Sequence, residues 1–563
     1  MHTVSTSTLF LLLAASGCSK TAENPDPTFD DSAQLFALDD IRLIEITIDE
    51  DDWDALRQQR RAGLDILNAG CVEEPVESPY TYFPADITID GQTVENVGLR
   101  KKGFWGSVTS EKPSLKVKFH EYEKDQRFMS MKRLTLNNTF EDPSHIRECL
   151  GYAMYREAGI TAPRCNFAEV TVNGEALGVY ANIESIKKDF LTRNFDDDSG
   201  NLYEGQLSDF RDGWVGTFQP KTNKDDADYS DLDAVRIALE ASNSNVYEEL
   251  STLIDMEDFT TFWAMEGLLR HNDSYSANAN NYYVYVDPQS GLINFMPWGL
   301  DSIMANELPE SPQPLSVYNN GALSHRLYDI PEYREDYFER LEELLDEVWV
   351  EDELLDTIDS YELLIAPYVQ NPDEFEGAFE EVRAVVETAR QDIGDELDQG
   401  EPEWSEPMPD PLCPTIVGDV LGSFNTTWES LDQEVEAGTG TLEAMVDSEE
   451  LITGPAGAIA GLFVGDEDQP PWTLIQVSAP LSADDHLMLN LVVFDPDLIT
   501  PNAIIPLDYG EAFGMLVEVL DDGQEENDLG LVLDGQIVFD NANTTEGGTI
   551  SGTFESLVMR VGN

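Results

Sequence analysis

The hydrophobic period of this chain changes twice, and the order of the changes limits what it can become. From Arg42 to Ile48 apolar residues alternate, putting Ile44, Ile46 and Ile48 on one face of a strand. Asp90-Gly91 lies between Ile87/Ile89 and Val94/Val97, and Asn173-Gly174 between Val170/Val172 and Leu177/Val179. Both dipeptides supply the positive φ angles of a tight hairpin turn. Between them Pro143-Ser144 opens a helical run through Ile146, Leu150 and Met154. Residues 34–185 are therefore expected to form a β-rich unit, an antiparallel sheet with a helix packed on it.

From 186 to 399 the period becomes helical, as in Phe259, Phe262, Trp263, Met265, Glu266 and Leu269. Two short strand runs, Tyr282 to Val286 and Leu292 to Phe295, interrupt it. Residues 400–412 (GEPEWSEPMPDPL) read as a Pro- and acid-rich linker. Beyond it, in 413–563, β patterns return at Trp472–Val477, Leu487–Phe494 and Phe513–Leu520, with a hairpin expected to turn at Asp534-Gly535. The fold class is α+β, a β-rich unit and a helical unit followed by a small all-β sandwich or barrel.

Charge separates function classes. With 111 Asp+Glu against 32 Lys+Arg the formal charge is −79, so nucleic acid and anionic lipid surfaces are repelled. Ten of the 32 basic residues nevertheless lie between Arg100 and Arg133, and none lies between Arg390 and Arg560. A cationic island in so acidic a chain fits either a polyanion pocket or strand lysines paired with surface carboxylates. An aspartate-rich turn at Asp521-Asp522-Gly523 lacks EF-hand spacing and reads as a solvated loop.

The first 18 residues read as a leader. Leu9 to Ala15 form a short apolar run before Ala15-Ser16-Gly17-Cys18, which resembles a bacterial lipobox. Cleavage before Cys18 and its lipidation would make an exported lipoprotein, with 19–33 a polar tether and Ser19 favouring the outer membrane or cell surface. No later apolar run is long enough to span a bilayer, so contact with membrane is expected only through the lipid at Cys18. Cys71, Cys149, Cys165 and Cys413 then permit three disulfide pairings, among which spacing does not choose. They have no zinc-site spacing.

The richest stretch runs from His271 to Met304. Asp273 ends a helix, Asn278, Asn280 and Asn281 follow in a loop, and Asp301 comes after a hairpin. Carboxylate and amide oxygens arriving from both sides of a short hairpin can converge on a hard cation. The same residues are also ordinary caps and turn formers.

Five ordered segments resemble the spore-coat protein H (CotH) kinase family: VGLRKKGFWGSVTSEKPSLKVKF (97–119), LTLNNTFEDPSHIRECLGYAMYREAGITAPR (134–164), VTVNGEALGVYANIESIKKDFL (170–191), GNLYE (200–204) and the HNDSY…NNYYVY…MPWGLD segment. The resemblance covers about 36–395. It implies a divergent protein-kinase-like fold, a β-rich N-lobe (34–185) and a helical C-lobe (186–399) binding ATP between them, and Mg²⁺- or Mn²⁺-dependent phosphorylation of serine or threonine in exported proteins, the chain itself included. On it, Asp273 takes the part of the catalytic base, and Asp301 with Asn278 or Asn281 that of the metal ligands. Arg100, Lys102 and Lys116, alternate residues sharing strand faces, become phosphate contacts, and Lys112 and Lys118 are less favoured. Glu184, near the expected hinge, becomes either a nucleotide contact or a structural residue. Two departures stand out. The family's P-W-D-x-D reads Pro297-Trp298-Gly299-Leu300-Asp301, and the turn Lys102–Ser107 holds no G-x-G-x-x-G. Loss of a ligand at Gly299 would leave the alternative, an inactive surface or coat protein that binds without catalysis.

Overall fold

In the computed structural model the described residues run from 31 to 561, except 60, 62–71, 77, 104–110, 306–312, 406, 410, 412, 432–434, 464–471, 483–484, 509–510 and 521–524. Cys18 with its leader, Cys71, most of the Lys102–Ser107 turn and the 521–523 turn lie outside them.

Seven strands form the first unit: β1 (Arg42–Ile48), β2 (Phe83–Ile89), β3 (Gln92–Lys101), β4 (Leu115–Lys118), β5 (Arg133–Asn137), β6 (Cys165–Val172) and β7 (Glu175–Ile183). They close into a barrel, β1-β2-β3-β4-β5-β7-β6, where an antiparallel sheet was expected. The closing contact is parallel, Ile44 opposite Val170. Closure follows from the alternation: Ile44, Ile87, Leu99, Val117, Leu134 and Val170 all point into one core, which a flat sheet would leave half wet. Both expected hairpins form, with φ of 48° and 78° at Asp90-Gly91 and 51° and 85° at Asn173-Gly174. Lys101 alternates with Arg100 and Lys102, so it turns inward, buried, and donates to the Arg57 carbonyl at 2.7 Å.

The helix Arg147–Glu157 leaves the barrel and packs with the helices Met256–Leu268, Pro331–Glu347, Glu351–Ile365 and Pro372–Leu397 in one large core. A boundary at 185 therefore divides the chain but not its packing. A four-stranded sheet, β11-β10-β8-β9, stands beside this core: β8 (Asn201–Gly205), β9 (Gln219–Pro220), β10 (Tyr282–Val286) and β11 (Ile293–Pro297). Among the described residues no helix is long and apolar enough to cross a membrane.

Cys149 and Cys165 are joined by a disulfide, tying the start of that helix to β6; Cys413 is also disulfide-bonded. The Cys149 link closes a loop with a sequence separation of 16. Its loss through Cys149→Ser is expected to cost about 3 kcal/mol of unfolding free energy. A guanidinium melt of the variant against the wild type under non-reducing conditions measures it.

The 400–412 segment is a docked strap. Trp404 and Met408 pack on the helical core, the Tyr328 hydroxyl donates to the Pro402 carbonyl, and Arg334 pairs with Glu401 at 2.8 Å. Its two large apolar side chains hold it down in spite of its prolines. Beyond it, nine strands among the described residues between Pro414 and Val561 close a second barrel. One expectation fails here. Asp534-Gly535 is not a hairpin turn but a bulge inside the continuous strand Glu525–Ala542, where pairing shifts between Leu533 and Gln536. A Cβ on Gly535 would fall 2.0 Å from the Glu555 carbonyl, so glycine serves close strand approach rather than chain reversal.

Candidate functional site

A cavity of about 420 Å³ separates the first barrel from the helical unit. Its barrel wall comes from register. Arg100 on β3 stands opposite Lys116 on β4, which stands opposite Thr135 on β5, so the three share the outer face. Arg100 and Lys116 line the cavity, as does Lys102, just past the end of β3. The opposite wall carries Asp273, Asn278, Asn280, Asn281 and Asp301. Sequence-predicted residues from 157 positions apart (Lys116 and Asp273) to 201 apart (Arg100 and Asp301) thus meet in one space.

Asp273 is held by three amides. Asn278 Nδ2 donates to Oδ1 at 2.7 Å, Asn280 Nδ2 to both oxygens at 3.1 Å, and Asn281 Nδ2 to Oδ2 at 2.5 Å. Burial raises its carboxyl above the ordinary value, while the three donors pull it back down. The loop that aims these amides is fixed from below by Glu266, whose carboxylate accepts the backbone N–H groups of Tyr275 and Ser276, each at 3.0 Å. Arg270, Ala279 and Asn281 all adopt left-handed φ, at 52°, 51° and 54°. Three non-glycine residues in that region cost about 1–3 kcal/mol each, which the packed surroundings offset.

Asp301 carries no hydrogen bond from any described residue and is the anion nearest in effect to Lys102 together with Glu148. Glu148 is buried on the helix Arg147–Glu157 and accepts from Asn137 Nδ2 at 2.5 Å. Burial drives its carboxyl up and the Lys102 ammonium down, so each needs the other to stay charged. Lys102 also lies 5.8 Å over the Trp298 ring. Glu141, from the turn after β5, is pushed up to about 6 by burial and by Asp301 and Asp273.

The cations continue past the predicted three. Lys116 is held well below its ordinary value by burial and then by Arg100, Lys102 and Arg133. Lys187 is depressed likewise by burial and by Lys116, Arg133 and Lys224. Among the described residues Lys102, Lys116, Arg133 and Lys187 have no carboxylate partner within ion-pair distance. The same holds for Arg100 and for cations away from the cavity such as Lys124, Arg127 and Arg326, but Arg100, Lys102 and Lys116 line the cavity together and leave their charge open to an outside anion there. Lys221 also lines the cavity, paired with Glu204.

The less favoured lysines are spent elsewhere: Lys118 pairs with Glu121, and Lys112 lies 5.2 Å over Tyr180, pushed down to about 8 by burial. Glu184 does not line the cavity. It is 1% exposed, and its two oxygens take the guanidinium groups of Arg164 and Arg193. Both lone-pair sets are used, so it is a structural anchor and the nucleotide role falls away. Glu141 and Lys221 line the cavity, and Glu148 and Lys187 act on its charges, without having been singled out. An acid inside a helix whose other faces are apolar, as at Glu148, was the available signal.

Gly299 has a physical reason. Its φ is +57°, and a Cβ there would sit 2.4 Å from Asn281 Oδ1. The Asn281 amide occupies the space a side chain at 299 would need. His271, kept neutral by burial with its value pushed down to about 4, donates Nε2–H to the Gly299 carbonyl at 3.2 Å. As for a metal, no three acidic, His or Cys side chains among the described residues gather closely enough to hold one alone. The donor set is instead one unpartnered carboxylate, Asp301, beside amide oxygens. That suits Mg²⁺, which keeps waters and takes phosphate oxygens.

The family model described as CotH kinase protein matches residues 99–399, more than half of the chain. The inner spore coat protein H of Bacillus subtilis is 22% identical over 249 residues, 42% of this chain and 67% of that protein. An inner spore coat protein H-like protein of the same organism is 22% identical over 231 residues, 40% of this chain and 66% of the relative. The crystal structure of a Helicobacter pylori proinflammatory kinase, CtkA, is similar over 52% of this chain and 92% of that one, with 12% identity and a TM-score of 0.28.

Proposed function

The chain belongs to the CotH kinase family, and from that premise we propose that it transfers the γ-phosphate of ATP to serine or threonine hydroxyls of exported proteins, itself included. The observation that carries the reading is the single cavity in which an amide-held Asp273 faces the unpartnered cations Lys102 and Lys116, with Asp301 beside them. Lys102, Lys116 and Arg100 neutralise the phosphate chain, and Lys187 and Lys221 add charge behind them. Asp273 orients the acceptor hydroxyl and takes its proton. Asp301, with the amide oxygens of Asn278 and Asn281, would hold Mg²⁺ or Mn²⁺, which supplies charge neutralisation to the phosphate oxygens. Substrate proteins meet the enzyme outside the cytoplasm, where a lipid on Cys18 tethers it to the outer membrane or cell surface.

The inactive alternative rests on Gly299, and the Asn281 amide filling that space favours the active reading over it. Purified mature protein incubated with γ-labelled ATP and Mg²⁺ or Mn²⁺ is expected to label itself and serine-bearing proteins. No transfer together with no nucleotide binding would sink the proposal.

A further inference from the structure

Period-two alternation should leave a barrel strand polar outside wherever water meets it. The strand Glu525–Ala542 and its neighbour Thr549–Val561 break that rule at one place. Val532 and Val558 point into the second barrel's core, yet the residues on either side, facing outward, are also apolar: Leu531 opposite Met559, and Leu533 opposite Leu557. Past the bulge, the outward positions revert to Gln536 and Glu555. Leu533 and Met559 are 0% and 3% exposed. They are covered by Val76 and Leu207, which line the catalytic cavity.

Leu207 is not a passive wall. It is a non-glycine residue at φ +50°, a conformation that persists only when its surroundings hold it. Its backbone N–H donates to Asn280 Oδ1 at 3.4 Å, and that of Ser208 to the Ala279 carbonyl at 2.8 Å. Asn280 in turn donates to both oxygens of Asp273. Packing and hydrogen bonds therefore run without a break from the outer face of the C-terminal barrel to the catalytic carboxylate.

We propose that the C-terminal barrel is a positioning element for phosphoryl transfer, its Leu533–Met559 face holding Leu207 so that Ala279 and Asn280 keep Asp273 in line. The inference rests on the kinase reading of the cavity. Neither barrel residue touches the cavity's cations, so the nucleotide grip should not depend on them.

Leu533→Ala with Met559→Ala in the full chain is expected to lower kcat about tenfold while KM for ATP stays within about twofold, since a displaced catalytic group costs rate rather than binding. Hydrogen exchange at residues 206–208 and 279–281 should quicken together. The conservative Leu533→Met, which keeps the space filled, should leave both as in the wild type. Leu207→Ala attacks the contact from the other side and covers the case in which the barrel variant folds poorly. Unchanged exchange in both variants, or faster exchange with unchanged kcat, overturns the proposal. A wild-type chain without phosphotransfer would remove the kinase reading instead, and the exchange data would then decide the mechanical link separately.

Discussion

Asp273→Asn is expected to lower phosphotransfer about 10³-fold, within the range general base catalysis supplies. The variant keeps size and shape but removes the only group in the loop that can take a proton from the acceptor. ATP affinity, read by titration of a fluorescent analogue, should hardly move, because the cations of the barrel wall are untouched. Stability is subject to two opposed effects. Burial raises the Asp273 carboxyl, so its ionisation works against the fold as pH rises through that raised value. At pH 8 the asparagine variant is relieved of this cost but sets an N–H₂ against amides that donate to Asp273, so the two effects oppose and its Tm should change little. The rate of the wild type should conversely fall as pH drops through the same value, above the ordinary aspartate range. Full activity in Asp273→Asn would remove the base assignment.

Asp301→Ala is expected to cost on the order of 10²–10³ in rate and to raise the Mg²⁺ concentration needed for half-maximal activity, since it deletes the unpartnered carboxylate of the site. Lys102 loses one of the two anions that keep it charged, so nucleotide binding should weaken as well, unlike in the Asp273 variant. Gly299→Asp separates two views of the P-W-G-L-D segment. If a ligand has been lost there, the substitution should raise activity. The geometry predicts a fall: an L-residue at φ +57° costs about 1–2 kcal/mol, and its Cβ would push the Asn281 amide off Asp273. Steady-state rates of the three proteins across a Mg²⁺ titration settle the matter, and a gain in Gly299→Asp would count against the present view of the site.

What was readable in the sequence was what local chemistry decides. The two hairpins followed from Asp-Gly and Asn-Gly between alternating strands, and the loop from Asp273 to Asn281 from the types of side chain it concentrates. Arg100 and Lys102 were placed on one face because strand alternation is regular, and the β3–β4 register sets Lys116 beside Arg100. Closure of the seven-stranded barrel was not readable, because it depends on β1 meeting β6 across more than a hundred residues. Which of its two roles Glu184 takes was not readable for a related reason. Its position near the crossing between lobes is local, but Arg164 and Arg193, which use up its oxygens, are brought to it by the fold. Asp534-Gly535 shows the limit of turn chemistry: the same dipeptide serves a bulge when the partner strand continues past it. Glu148 needed the packed helix to be seen, since only burial makes a carboxylate depend on a distant lysine.

Closure of both barrels has a consequence for how such a chain survives. A sheet edge is a row of unpaired N–H and C=O groups, able to recruit strands from other molecules. In the two barrels each strand is paired on both sides, and only the small four-stranded sheet, with β11 and β9 at its margins, keeps borders among the described residues. Even there Ile293 of β11 is bridged by Ile254. Added to a surface whose like charges repel at close range, this leaves little through which copies could zip together.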